Sequence, residues 1–273
     1  MGDLSIDTAV DGYGDAYSGT LSEDWEIWGP NGGYVASLAL RAAAAKSNFR
    51  RPASISCHFL SASQFARVEL QVQRLRQARR AESLRVTMTQ DARPVLEALV
   101  WMVDDVEGLE HDHAPMPDVP AHASLRTIEE LTDDPRSNRY SFFTNVDERP
   151  TAWIEDWDTR EPGEPRVTSW FRFRPVATFE EPAVDACRSL ILMDTMEWPA
   201  AVRAHTGQLQ WIAPSLDLSV RFHRFAPNSE WLLSDTSAPV ATDGLIGGTA
   251  TVWSDTGKLL ASGGEQMLCR PSP

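Results

Sequence analysis

The chain has 273 residues, of which 42% are hydrophobic and 9% aromatic, so it can bury the core of one large domain or two ordinary ones. Its formal net charge of −14 argues against nucleic-acid binding, which requires clustered Lys and Arg side chains. Most of this charge lies in residues 104–165, which contain 17 acidic and 5 basic side chains. The remainder is close to neutral, so a small anionic ligand is not excluded.

Cysteine usage and the first residues indicate a cellular location. Three scattered cysteines, an odd number, fit a reducing compartment. The stretch "MGDLSIDTAVDGYGDAY" lacks the basic and apolar regions of a signal peptide, and no apolar run approaches the roughly 20 residues of a membrane span. These features predict a cytoplasmic protein without a membrane partner.

The first half of the chain predicts one helix followed by four strands. In "GGYVASLALRAAAAKSN" the residues Val35, Leu38, Ala39 and Ala42 have the spacing of one helix face. The segments that follow alternate polar and apolar residues, as strands do; they are "SISCHFL", "RVELQVQRL", "ESLRVTMTQD" and "PVLEALVWMV".

The middle of the chain predicts a crossing segment between two units. Residues 104–140 form an acidic, Pro-rich linker, which separates an N-terminal unit, residues 1–103, from a C-terminal unit, residues 141–273. Within this region "SLRTIEEL" predicts a short helix, and "YSFFTNVDERP" and "VTSWFRFRP" predict strands of the second unit.

The second half repeats the layout of the first. "DTMEWPAAVRAH" predicts a helix bent near Pro199, and the strand-like segments "SLDLSVRFHRF", "EWLLSDTSAP", "GLIGGTATVWSD" and "KLLASGGEQMLCR" follow. "LRAA" from Leu40 aligns with "VRAH" from Val202, and "VTMTQD" from Val86 aligns with "ATVWSD" from Ala250, at shifts of 162 and 164. We therefore predict an α+β fold of two tandem units, each a helix wrapped by antiparallel strands.

Few side chains outside this pattern indicate chemistry. Asp194 opens an Asp-x-x-Glu pattern, which is typical of a helix cap, and a carboxylate at a helix start also suits a general base. Asn31 is a candidate cap of the first helix. His58, on an alternating strand, fits an interior or interface position, and His111 and His113 lack further ligands for a metal site.

The ordered set of segments resembles the acyl-CoA thioesterase II family and its thioesterase-like relatives, which have the double hot-dog fold. The similarity covers "WGPNGGYVASLALRAA", the strands from "CHFLSAS" to "LVWMV", and "SLDLSVRFHRF", "EWLL" and "LLASGGEQMLCR". It implies an enzyme that hydrolyses an acyl-CoA thioester by direct attack of water, with acyl-CoA as its small-molecule partner, no cofactor and no metal. Unpaired sheet edges in this architecture also fit a homo-oligomer.

The resemblance carries the family's catalytic residues to this chain. The family uses an aspartate, a Ser or Thr and a Gln to hold the attacking water, and these positions match Asp194, Ser215 and, in an ungapped alignment, Glu265. Gln266 is one residue later, and neighbours on a strand face opposite sides. We predict that Gln266 faces the site, because an amide holds a water without competing with Asp194 for its proton.

The first unit supplies the predicted substrate-binding residues, which are Asn31, Gly32, Gly33 and His58. Gly32 aligns with Asp194 in the repeat, so one active site per chain is expected.

Two alternatives remain for this sequence. A hot-dog hydratase pairs its aspartate with a histidine five residues later, where this chain has Pro199. A non-catalytic acyl-CoA-binding protein would retain the cleft without a complete set of water-holding residues, and the Glu265/Gln266 ambiguity favours it.

Overall fold

A computed structural model describes residues 1–132, 140–207 and 210–272. The N-terminal half contains two helices and six strands, which in chain order are α1 (Leu4–Asp7), β1 (Asp11–Tyr13), β2 (Ala16–Thr20), α2 (Gly32–Lys46), β3 (Arg51–Phe59), β4 (Arg67–Gln77), β5 (Ala81–Gln90) and β6 (Arg93–Val103).

The described residues of the remainder form three α-helices and eight strands. In chain order these are α3 (Ile128–Leu131), β7 (Val146–Pro150), β8 (Arg166–Phe173), α4 (Pro182–Leu192), α5 (Glu197–Val202), β9 (Trp211–Ile212), β10 (Ser215–Phe222), β11 (Leu232–Thr242), β12 (Leu245–Ser254), β13 (Leu259–Leu268) and β14 (Arg270–Pro271).

Twelve of the strands form one antiparallel sheet that runs through both halves of the chain. Its strand order is β1-β2-β4-β5-β6-β3-β10-β13-β12-β11-β8-β7, and β9 pairs separately with β14. The two units join where β3 pairs antiparallel with β10, with Ile55 opposite Val220. The repeat is visible in the strands, because the bounds of β5 and β12 differ by 164 residues, as the sequence predicted.

Helix α2 lies across the first unit's part of the sheet. It contacts β3, β4, β5 and β6, and its side chains from Tyr34 to Leu40 are buried. α4 packs against α2, and α5 contacts β8, β11 and β12 of the second unit. The α+β fold with two tandem helix-and-sheet units is therefore confirmed. No helix in the described ranges is long and apolar enough to cross a membrane.

The helical region of the second unit differs from the prediction. The sequence predicted one helix over residues 194–205, whereas the structure has the short helix α5 preceded by α4, which was not predicted. The chain turns between them, because the Asp194 N–H and the Thr195 hydroxyl both donate to the Ile191 carbonyl. Pro199 lies in the first turn of α5, where its missing N–H costs no helical hydrogen bond.

The crossing segment is partly helical. α3 has a complete capping box between Thr127 and Glu130, in the short helix that the sequence predicted. The segment "YSFFTNVDERP" was predicted as a strand, but its first half is a 3-10 helix, Ser141–Asn145, which places Phe142 5.9 Å from the ring of Trp25. Residues 133–139 of the predicted linker lie outside the described residues.

Glu148, on β7, makes stability depend on pH. Its side chain is 6% exposed, and burial raises its pKa to about 7. An unfolded glutamate titrates near pH 4.3, so between this value and 7 the folded state binds more protons and stability falls as pH rises, by about 4 kcal/mol in total.

We expect Glu148→Gln to remove this loss. Its gain in melting temperature over wild type should be larger at pH 8 than at pH 5, as measured by thermal unfolding at both pH values. An equal shift at both would show that Glu148 does not titrate in this window.

Candidate active site

Asp194 lies in the turn between α4 and α5 and is bound by the start of α2 in the other unit. Its Oδ2 accepts a hydrogen bond from the Gly33 N–H at 2.9 Å and from Asn31 Nδ2 at 3.1 Å. Asn31 Nδ2 also donates to the Asp194 main-chain carbonyl at 3.1 Å. The aspartate of the second unit is therefore anchored on the helix N-terminus of the first.

The local sequence explains this arrangement. Asn31 caps α2, because its Oδ1 accepts from the Tyr34 N–H at 2.8 Å. The Gly33 N–H, in the same first turn, has no acceptor within the helix and so binds Asp194. The positive end of the helix dipole also favours an anion at this place.

The two glycines at the start of α2 leave space for different neighbours. A Cβ at Gly32 would lie 2.9 Å and 3.0 Å from the two Asp194 carboxylate oxygens and 2.9 Å from Phe59 Cζ. A Cβ at Gly33 would lie 2.6 Å from the Leu190 carbonyl oxygen, in the backbone of α4. The absence of a side chain at Gly32 thus leaves room for the Asp194 carboxylate, and its absence at Gly33 leaves room for the backbone of α4.

Two strands complete the polar cluster around Asp194. Ser215 opens β10, and its Oγ lies 2.8 Å from Asp194 Oδ1 and 2.8 Å from Glu265 Oε2 on β13. Asp194 and Ser215 are half-buried, whereas Glu265 is 7% exposed. The structure therefore brings together Asp194, Ser215 and Glu265.

The prediction that Gln266 faces the site is wrong. Neighbours on a strand point to opposite faces, and Glu265 is the one that contacts Ser215. Gln266 pairs with Asp217, whose Oδ1 accepts from the Gln266 N–H at 2.7 Å on the other side of the sheet. The ungapped alignment, which placed Glu265 at the family's glutamine position, was the better guide.

A third carboxyl group, that of Glu197, lies beside this cluster. It is the first residue of α5, is 1% exposed, and neither carboxyl oxygen has a hydrogen-bond partner among the described residues. A Cβ at Gly248 on β12 would lie 2.6 Å from Glu197 Cγ and 3.6 Å from Glu265 Cγ. Both glutamate side chains therefore cover the same glycine.

Burial determines the protonation of these groups. It raises the pKa of Glu265 well above the usual range, and the negative charges of Asp194 and Glu197 raise it further. Burial and the Asp194 charge likewise raise the pKa of Glu197. The Cys57 thiol, on β3, also has a raised pKa, mainly because it is buried. No group of three or more His, Cys, Asp and Glu side chains in the described part of the chain has the geometry of a metal site.

Aromatic side chains lie close to the polar cluster. The ring of Phe59 is half-buried next to the Gly32–Asp194 contact. Trp28, three residues before Asn31, makes an edge-to-face contact with Trp198 at 5.9 Å between ring centroids. An apolar ring therefore lies next to the Asp194 carboxylate, and small-molecule sites commonly combine such rings with a few polar groups.

A separate cavity of about 910 Å³ lies in the second unit. Met196 and Pro199 on the α5 side line it, together with Trp153, Trp157 and the buried Glu148.

Other predicted roles have different outcomes. Asp194 does not cap α5, whose N-cap is Met196 without a side-chain hydrogen bond, so that interpretation is wrong. His58 does not join the cluster, because it is exposed on the outer face of β3 while Cys57 on the inner face is buried. Sequence reasoning missed Glu197 as a member of the site, since its Asp-x-x-Glu spacing was interpreted only as a capping box.

Two family models together match most of the chain. Residues 21–103 match the model of the acyl-CoA thioesterase N-terminal domain, and residues 117–268 match that of the acyl-CoA thioesterase C-terminal domain. The chain belongs to the acyl-CoA thioesterase family. It is a thioester hydrolase that acts on an acyl-CoA, as its sequence predicted.

Solved structures share the whole fold. An acyl-CoA thioesterase II, TesB2, from Mycobacterium marinum is 21% identical, with a TM-score of 0.80 and 98% of each chain covered. The tesB protein of Mycobacterium avium subs paratuberculosis is 23% identical, with a TM-score of 0.79 and 98% of each chain covered. A hot dog fold protein of unknown function from Alicyclobacillus acidocaldarius is 20% identical, with a TM-score of 0.81 and 99% and 98% covered. These likenesses confirm the double hot-dog fold.

Proposed function

We infer that this thioesterase hydrolyses its acyl-CoA by direct attack of a water molecule, for which Asp194 is the general base. The observation that carries this inference is the set of hydrogen bonds at Asp194. Gly33 and Asn31 donate to Oδ2, and Ser215 lies within hydrogen-bond distance of Oδ1. A carboxylate offers about four lone-pair sites, so one on Oδ1 remains for a water next to Ser215.

Ser215 has the role of orienting this water. Its Oγ contacts two carboxyl groups and no histidine, so it lacks the usual base of a serine nucleophile. A hydroxyl fixed beside Oδ1 can accept from or donate to the water and hold it in line with the carbonyl carbon. Thioesters are activated acyl groups, and one base with a few orienting groups supplies much of the required rate increase.

The start of α2 also provides a donor for the carbonyl oxygen. Gly32 is the first residue of the helix, so its N–H has no acceptor within α2, and a Cβ at this residue would lie within 3.0 Å of the Asp194 carboxylate oxygens. Negative charge develops on the thioester oxygen during attack, and a fixed N–H at a helix N-terminus stabilises such charge. We assign this role to the Gly32 N–H.

The acyl group is assigned to the apolar side of the site. The ring of Phe59 lies next to the Gly32–Asp194 contact, and Trp28 and Trp198, which contact each other, are close in the chain to Asn31 and Asp194. Flat aromatic walls favour acyl groups with rings or unsaturation as well as short aliphatic chains, through stacking and apolar burial.

Thiol release from a panel of acyl-CoAs tests this function. The panel contains short, medium, long and aromatic acyl groups, and released CoA is measured with a thiol reagent alongside a no-enzyme control. We expect turnover of at least one member with a preference among them. If no thiol is released while a CoA ester raises the melting temperature, the chain is a binding protein and not a hydrolase.

The hydratase alternative has no support at this site. Position 199, five residues after Asp194, is proline on α5, and His58 faces away from the cluster. Product analysis of the same panel by mass spectrometry tests this, because hydration of an enoyl-CoA would give a hydroxyacyl-CoA without thiol release.

A further inference from the structure

The hydroxyl group of Ser215 has one hydrogen but contacts two carboxyl groups. Its Oγ lies 2.8 Å from Asp194 Oδ1 and 2.8 Å from Glu265 Oε2. A hydroxyl donates one hydrogen bond and can accept others, whereas an ionised carboxylate only accepts. Both contacts are hydrogen bonds only if one of the two carboxyls is protonated and donates to Ser215.

The surroundings of the two carboxyls decide which one holds the proton. Asp194 accepts from the Gly33 N–H and from Asn31 Nδ2, and donors of this kind favour the ionised form. Glu265 is 7% exposed, and among the described residues its hydrogen-bonding neighbours are the Ser215 hydroxyl and the Asp194 carboxyl itself. Burial and the negative charges of Asp194 and Glu197 all disfavour an ionised Glu265 and outweigh the contact with the Ser215 hydroxyl, so the proton resides there.

The groups that face Glu265 from neighbouring elements also favour its protonated form. Glu197 from α5 and Asp194 from the preceding turn are acidic, and Cys57 lies on the same face of β3, two strands away. Asp217 on β10 lies on the opposite face, where it accepts from a main-chain N–H. No cationic side chain belongs to this described set, so the cluster is stable only with few of its carboxyls ionised.

We propose that Glu265 is a positioning residue that acts as a neutral carboxylic acid, donating a hydrogen bond to Ser215 so that the hydrogen of Ser215 points at Asp194. The result is a directed chain from Glu265 through Ser215 to the ionised carboxylate. This proposal rests on the proposed role of Asp194 as general base. By the resemblance, the family has a glutamine at this position, and in this chain the neutral acid of Glu265 takes over the hydrogen bond that the amide would donate.

The proposal predicts how activity depends on pH. When Glu265 ionises, Ser215 can donate to only one of two carboxylates, and the two negative charges repel each other. Because burial raises the pKa of Glu265, this loss occurs on the alkaline side of the pH profile. A glutamine keeps the donor in the same direction and does not titrate.

The first test is the pH profile of kcat/KM for wild type and Glu265→Gln. We expect the variant to stay within a few-fold of wild type at neutral pH and to lack the wild-type alkaline decline. The matched control is Glu148→Gln, the same change at a second buried glutamate, outside the cluster, whose pKa is raised to about 7. This control should keep the decline.

Three results would overturn the proposal. One is an unchanged alkaline decline in Glu265→Gln, and another is its disappearance in Glu148→Gln. The third is a Glu265→Gln variant that fails to fold, because an amide of the same shape in place of a neutral acid leaves no buried charge.

A second measurement separates this proposal from the proposed function. Infrared spectra at neutral pH should show the carbonyl stretch of a protonated carboxyl group that Glu265→Gln lacks and Asp194→Asn retains. If thiol release occurs but the band is the same in Glu265→Gln, Glu265 is ionised and this proposal fails alone. If the band behaves as expected but no acyl-CoA is hydrolysed, the direction of the hydrogen bonds stands and the proposed function fails.

Discussion

Asp194→Asn should lower kcat/KM for the preferred acyl-CoA by about two orders of magnitude or more, which is the usual contribution of a positioned general base. The folded state should be retained. The asparagine carbonyl can still accept from the Gly33 N–H and from Asn31, and its amide can donate to Ser215, whose hydrogen then turns to another acceptor. The measurement is thiol release at saturating and limiting substrate, together with the melting temperature.

Asp194→Ala serves as the matched structural control. It removes both carboxylate oxygens, so the Gly33 N–H loses its partner in a half-buried place, and Asn31 Nδ2 keeps only the main-chain carbonyl of residue 194. Leaving such donors unpaired costs about 1–3 kcal/mol, and we expect a lower melting temperature in addition to lost activity. Both variants lose the general base, whereas only the alanine variant also loses the hydrogen bonds between the Asp194 side chain and the start of α2. Comparing them therefore separates the catalytic effect from the structural one.

One result would remove the general base from the mechanism. If Asp194→Asn turned over the substrate at a rate within a few-fold of wild type, Asp194 would be only a link between the turn after α4 and the start of α2. The attacking water would then need another base.

Regular patterns made most of the fold predictable from the sequence. The strands β4 and β5 alternate buried and exposed side chains, and this period of two is visible in the sequence without any structure. The long helix α2 was also predictable, because its apolar residues recur at helical spacing and Asn31 provides a cap. Patterns of this kind arise when an element buries one face.

Helix α4 has apolar residues at helical spacing, with Val184, Cys187 and Ile191 at i, i+3 and i+7, but charged residues interrupt its buried surface. Asp185 and Arg188 are buried in it and form an ion pair, so two charged residues stand where an apolar face would be expected. Arg188 further donates to the main-chain carbonyls of Ala177, Ala226 and Ser229, which come from distant parts of the chain. Only the start of α4 had a local signal, Pro182 in the first turn.

The residues of the candidate active site could be proposed from the sequence, but most of their contacts could not. Asp194 and Ser215 follow from the resemblance, but the partner of the Asp194 carboxylate is a helix 161 residues earlier in the chain. No local rule predicts a contact between units. Gln266 was chosen because an amide suits the role chemically. The register of the strand, however, decides which of two neighbouring residues faces the site, and it favours Glu265.

Gly32→Ala should have a large effect on activity with little effect on stability. The added methyl group would lie within 3.0 Å of both Asp194 carboxylate oxygens and 2.9 Å from Phe59 Cζ. These atoms are side-chain ends that can move, so the fold accommodates the change while the carboxylate is displaced. A displacement of about 1 Å at a catalytic group can cost about 100-fold in rate, and we expect a loss of this order in kcat/KM.

Gly33→Ala is the matched control, because the same methyl group one residue later meets the backbone of α4. It would lie 2.6 Å from the Leu190 carbonyl oxygen and 2.7 Å from Ile191 Cα, and backbone atoms of a packed helix cannot turn aside. Overpacking of this kind costs about 1–3 kcal/mol, so the melting temperature should fall. If Gly32→Ala were instead the less stable of the two, or kept full activity, the space at Gly32 would not be reserved for Asp194.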